Sequence, residues 1–199
     1  MRRLRALLSG LLILVSTLPL SGCTKVVSWE EEVVLNTGET LQVQRLVTYT
    51  RAGAPGNPLD IGWRAQDGGE MRFVWKGRSY VFREHSGPLV FAISPQGTPV
   101  VVINPSAGRW DVIHKLGCRY PHYVQFVPDA SGERWTWPAA VEPWLFRLPT
   151  NLLQNPPNPE RGFAKYRAQD VREANSQLRL SKFDRFIDPQ FTADNCRKD

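Results

Sequence analysis

The side chains best able to do chemistry gather between residues 111 and 122, where Asp111, His114, Cys118 and His122 follow one another closely. Asp111 and His114 are three apart and would share a face if this stretch were helical. With His122 they supply the donors of a small metal site, or the carboxylate and base of a small envelope hydrolase. Cys118 stands four residues from each histidine, a spacing that on a helix would set a thiolate beside a base. Gly117 and Pro121 work against any helix that would carry all of them. Two or three such residues also arise readily by chance, so the expectation is that they serve structure.

Other candidate chemistry is sparse. Glu84-His85-Ser86 puts a base beside a hydroxyl, but a turn before Gly87 explains the same residues. Ser106, in Asn104-Pro105-Ser106-Ala107-Gly108, lacks the first glycine of a nucleophile elbow. The sequence contains no phosphate loop, no paired-histidine zinc motif, no dinucleotide fingerprint and no paired-cysteine metal site. We therefore expect no enzyme, no metal and no cofactor, with His85, His114 and His122 dispensable for any chemistry.

Two compositional features suggest surfaces instead. Glu30-Glu31-Glu32 is a short acidic run on the first expected strand, read as charge that protects a sheet edge. A site for a cation or a basic partner is the alternative. Seven tryptophans are the one excess. Trp135 and Trp137 alternate with polar neighbours, so both rings should point to one side of a strand. They form either core filling or a platform for a glycan or protein partner, and core is the expectation.

The start of the chain is more specific. Arg2, Arg3 and Arg5 precede a short apolar run, too short to span a membrane comfortably, and small residues follow. Leu20-Ser21-Gly22-Cys23 resembles the lipobox of bacterial lipoproteins. That resemblance implies cleavage before Cys23, diacylglycerol (and further acylation, such as palmitate) on Cys23, and removal of residues 1–22 as a signal peptide. Thr24, where inner-membrane lipoproteins usually carry aspartate, implies an outer-membrane anchor facing the periplasm. Residues 23–28 would be a short tether reaching less than about 20 Å, holding the body against the membrane.

The net charge of +6 loses the three signal arginines on processing, and the remaining basic residues are scattered among acids. This is no nucleic-acid footprint. With Cys23 acylated, Cys118 and Cys196 remain as an even pair in an oxidising compartment, and a disulfide between them would hold down the C-terminus.

These residues must be positioned by residues 29–199, whose length suits one domain. Short apolar runs divided by turns read as strands at 29–35, 40–49, 59–65, 71–76, 79–83, 89–93, 100–103, 123–127 and 134–137. Asn36-Thr37-Gly38 suits a hairpin with glycine in the left-handed position, and 52–58 reads as a loop. The most apolar run, 100–103, is the expected central strand. Asn158-Pro159 reads as the start of a helix whose stripe is Ala164, Ala168, Val171, Ala174 and Leu178. The expected fold is mainly β: an antiparallel sandwich or small barrel of roughly nine strands with a C-terminal α-helix. The expected function is that of a non-enzymatic binding or envelope-structural module.

Overall fold

The computed structural model describes residues 24–54, 57–84, 87–106, 110–138 and 140–192. Among the described residues nine strands form two sheets. They are β1 (Thr24–Val34), β2 (Thr40–Ala54), β3 (Asn57–Trp75), β4 (Arg78–Glu84), β5 (Pro88–Ile93), β6 (Pro99–Ile103), β7 (Val124–Pro128), β8 (Trp135–Thr136) and β9 (Ala164–Tyr166). The first sheet has the order β4-β3-β2-β1-β9 and the second β5-β6-β7-β8. All pairings between neighbours are antiparallel except β1 with β9, which is parallel. The fold is mainly β, with two sheets and no closed barrel.

The second sheet is the middle layer. Phe91, Ile93, Val101, Ile103, Val124 and Phe126 meet Val33, Val43, Met71, Phe73 and Phe82 of the first sheet in one core. On its other face Leu89, Val90, Ala92, Val100 and Val102 meet Leu145, Ile187 and Phe191 from the C-terminal third. Every residue of β5 and β6 is therefore buried. A strand covered on both faces has no reason to alternate polar with apolar residues, which is why both read as unbroken apolar runs.

Tyr123 fastens the C-terminal layer down. Its hydroxyl donates to Phe183 O at 2.8 Å and accepts from the Asp188 N–H at 3.2 Å. Burial pushes its phenol well above the usual range, so it stays a neutral donor.

β5 is an edge strand whose open backbone is satisfied by two asparagines. Ile93 N–H donates to Asn36 Oδ1 at 2.8 Å, and Asn36 Nδ2 donates back to Ile93 O at 2.9 Å. Phe91 N–H and O exchange the same pair of bonds with Asn151, at 2.9 and 2.8 Å. Each amide side chain imitates a neighbouring strand for one residue. The edge is closed without a strand.

Turn chemistry behaves as the sequence suggests at Gly38, whose φ is +87° in the β1–β2 hairpin. Gly132 has a second reason to be glycine. Its φ is +80°, and a Cβ there would lie 2.8 Å from Ser79 O, because the β7–β8 turn docks on β4 through Val81 N–H to Gly132 O at 3.0 Å.

Four local expectations are corrected. β1 begins at Thr24, so Thr24 to Ser28 belong to the sheet and are not a tether. β2 and β3 run through much of 52–58 as paired strand, with Gly53 opposite Ile61 and Ala54 opposite Asn57, where a loop was expected. The runs 59–65 and 71–76 are one strand, with register shifts opposite Val47–Tyr49 and Gly53–Ala54. Asn158 does not start the helix: it closes a turn by accepting from the Glu160 N–H at 2.8 Å. Ala164 lies in β9, and the helix α2 is Ala168–Gln177, with Val171 buried. Two shorter helices, α1 (Trp110–Ile113) and α3 (Lys182–Arg185), flank it in the chain order.

The acidic run is no edge device either. β1 has β2 on one side and β9 on the other at Trp29–Glu31. The three glutamates have three separate partners. Glu30 meets Lys165 Nζ at 2.7 Å, and Glu32 accepts from the Ala168 N–H at 3.2 Å, where a carboxylate suits the first turn of α2. Glu31 is fully buried and paired with Arg45 at 2.9 Å.

Candidate functional site

The segment that carries most of the reactive residues folds over one corner of the second sheet. α1 is a single turn, and it drives Trp110 into the core while leaving Val112 and Ile113 exposed. His114 stacks on Trp110 with centroids 4.0 Å apart. Trp137, just past the end of β8, stands edge-on to Trp110 at 5.4 Å, to His114 at 5.6 Å and to Phe126 at 5.9 Å. Arg119 ties the two segments together through Nη2 to Pro138 O at 3.2 Å.

Trp137 remains 43% exposed, and Tyr120, beside Arg119 on the connection between α1 and β7, is exposed as well. Of the nine exposed large apolar side chains among the described residues, four come from this corner: Val112, Ile113, Tyr120 and Trp137. Clustered exposure of this kind on a folded body marks a contact surface more often than scattered single residues do.

Trp135 behaves differently from Trp137. It is half-buried, packs against Phe82 at 5.1 Å and Phe73 at 6.4 Å, and donates from Nε1 to Val81 O at 2.8 Å. β8 ends at Thr136, and the core ends with it. The expectation that both rings behave alike fails because the chain leaves the sheet between them.

Asp111 and His122 do come together, with Asp111 Oδ2 at 3.6 Å from His122 Nε2. The arrangement is poor for catalysis. His122 is only 1% exposed, under Phe191, and neither ring nitrogen has a hydrogen-bond partner among the described residues. Burial pushes its pKa below the usual value, Asp111 pulls it part of the way back, and Arg119 opposes the proton. A base that substrate cannot reach abstracts nothing from it. The His114 ring instead stacks on Trp110 and meets Trp137. No cluster of three potential metal ligands occurs among the described residues.

Cys118 lies exposed in the connection after α1. Cys23, His85 and Cys196 lie outside the described residues. Ser106 is exposed and its N–H is held by Asn104 Oδ1 at 3.1 Å, an ordinary turn.

Sequence reasoning did not anticipate a cavity at the seam of the two sheets. About 250 Å³ opens between the end of β1 and the edge of β5, walled by Val34, Phe91, Leu148 and Val171, with Glu32 and Arg172 among the polar residues that line it. No helix of the described residues is long and apolar enough to cross a membrane.

No family model, no curated protein and no solved structure matches this chain.

Proposed function

We propose that this chain is a lipid-anchored protein of the bacterial envelope, attached by Cys23 to the outer membrane, facing the periplasm, and acting by binding and not by catalysis. The observation that carries the reading is the exposed Trp137 against the Trp110–His114 stack, with Val112, Ile113 and Tyr120 exposed on the segment that Arg119 joins to it. Aromatic anchors held by a packed base, with aliphatic neighbours, suit the apolar patch of a protein partner in the envelope. The aliphatic side chains make a glycan the weaker candidate. The hydrolase alternative would need His122 as a base, and its burial beneath Phe191 weighs against that.

Two further parts of the reading concern the cysteines. Cys23 carries the acyl groups, and Cys118 pairs with Cys196. Mass spectrometry of the mature N-terminal peptide and non-reducing peptide maps check them separately. The binding role is tested with a photo-crosslinking residue beside Trp137 in the native envelope. A discrete cross-linked partner that disappears with Trp137→Ala supports the proposal. Equal cross-linking with and without the ring would remove its basis.

A further inference from the structure

The end of the molecule nearest Cys23 has a feature that the aromatic corner does not explain. Thr24, the first residue of β1, pairs with Thr50, and Thr50 pairs on its other side with Arg64. β2 and β3 do not stop there. They continue as a paired hairpin, Arg51 opposite Trp63, Ala52 opposite Gly62, Gly53 opposite Ile61 and Ala54 opposite Asn57. Four residue steps from Thr50 to Ala54 carry this arm about 13 Å beyond the start of β1.

The direction of the overhang is fixed by antiparallel pairing. β1 enters the sheet at Thr24, at the end toward which β2 and β3 extend, and the covalent bond sets Cys23 one peptide unit, about 3.8 Å, from Thr24. A lipid on Cys23 places that point at the membrane surface. The headgroup layer on one side of a bilayer is only about 5–8 Å thick. An arm that passes the anchor by about 13 Å reaches this layer when the strands lean toward the membrane, and a tilted arm fits within it.

Its described side chains suit such a place. Ile61 is 59% exposed, on the face where Trp63 packs down against the cluster of Val27, Trp29, Val47 and Tyr49. Val26, on β1 near the anchor, is 62% exposed. Lys25, Arg51 and Arg64 are exposed around the root of the arm. Exposed apolar side chains, a tryptophan at the boundary and flanking cations are the pattern of a polypeptide lying at an anionic lipid surface.

We propose that the β2–β3 overhang, through Ile61, Trp63 and Arg51, lies in the headgroup layer of the phospholipid bilayer that holds the Cys23 anchor. This rests on acylation of Cys23. The arm then works as a second, non-covalent contact that sets the tilt of the body and the direction in which the aromatic corner faces.

The test uses the full acylated protein in vesicles of phosphatidylethanolamine with phosphatidylglycerol. An environment-sensitive fluorophore is placed through Ile61→Cys and, at the opposite end of β1, through Val34→Cys, each corrected for wild-type background labelling. Both positions are exposed, so both variants should fold. The Ile61 probe should shift to the blue and be quenched by spin-labelled lipid, while the Val34 probe stays water-like. A water-like Ile61 probe on protein that resists a carbonate wash would overturn the arm's role and leave the anchor intact. Release of the protein by carbonate would overturn the anchor, and this inference with it.

Discussion

Breaking the Glu31–Arg45 pair should cost more stability than any other single polar change in the first sheet. Glu31 is fully buried and Arg45 nearly so, on the inner face between the Trp29–Tyr49 cluster and the Val33–Val43 cluster. Glu31 Oε1 accepts from Arg45 Nη1 at 2.9 Å. Oε2 accepts from the Leu153 N–H at 3.1 Å and from Trp29 Nε1 at 3.3 Å. The guanidinium also stands over the Trp29 ring, 5.1 Å from its centroid. Arg45→Met leaves a buried carboxylate with two neutral donors, and such orphaned charges cost about 3–5 kcal/mol. Glu31→Gln leaves the guanidinium uncompensated at a similar cost, although the amide oxygen still accepts from Leu153. Removing both charges removes the reason for either penalty, so Glu31→Gln with Arg45→Met should lie within about 1–2 kcal/mol of wild type. The assay is urea unfolding of the four proteins of this double-mutant cycle, each exported without the acyl anchor and followed by tryptophan fluorescence. A coupling energy of about 3 kcal/mol or more is expected. Losses that simply add, or an Arg45→Met loss below about 1 kcal/mol, would refute the reasoning by showing the pair to be solvated.

Three other outcomes follow from the geometry. Burial holds His122 below the free imidazole value of 6.5, so the unfolded chain takes up a proton that the folded one resists. Stability is then full above about pH 6.5 and lost as pH falls through the folded-state value; urea midpoints should drop with acid in wild type and drop less in His122→Leu. Trp135→Ala should cost about 3 kcal/mol, and Trp137→Ala about 1 kcal/mol or less, because only the first ring is packed into the core; equal thermal shifts for the two would contradict this division. Asn151→Ala strips both edge bonds from Phe91 and should cost about 1–3 kcal/mol, with concentration-dependent association of the opened β5 edge visible by light scattering; a monomer of unchanged stability would show that the edge needs no cover.

The mainly β character, the hairpin at Gly38 and the central place of β6 were legible in the residues themselves. Turn chemistry is local, since φ at one residue decides it, and strands buried on both faces announce themselves as unbroken apolar runs. What the residues did not disclose depends on which strand lies beside which. Three adjacent glutamates look alike until β9 and α2 pack on β1; then one is buried, one faces a lysine and one caps a helix. His122 looks like a candidate base until residues 183–191 fold across the second sheet and bury it. Trp135 and Trp137 obey the same alternation, but the core stops between them. The overhang of β2 and β3 past Thr24 is a property of register alone. Alternation tells a strand which face to bury but not where its neighbour ends, so only the assembled sheet decides which strands extend past Thr24.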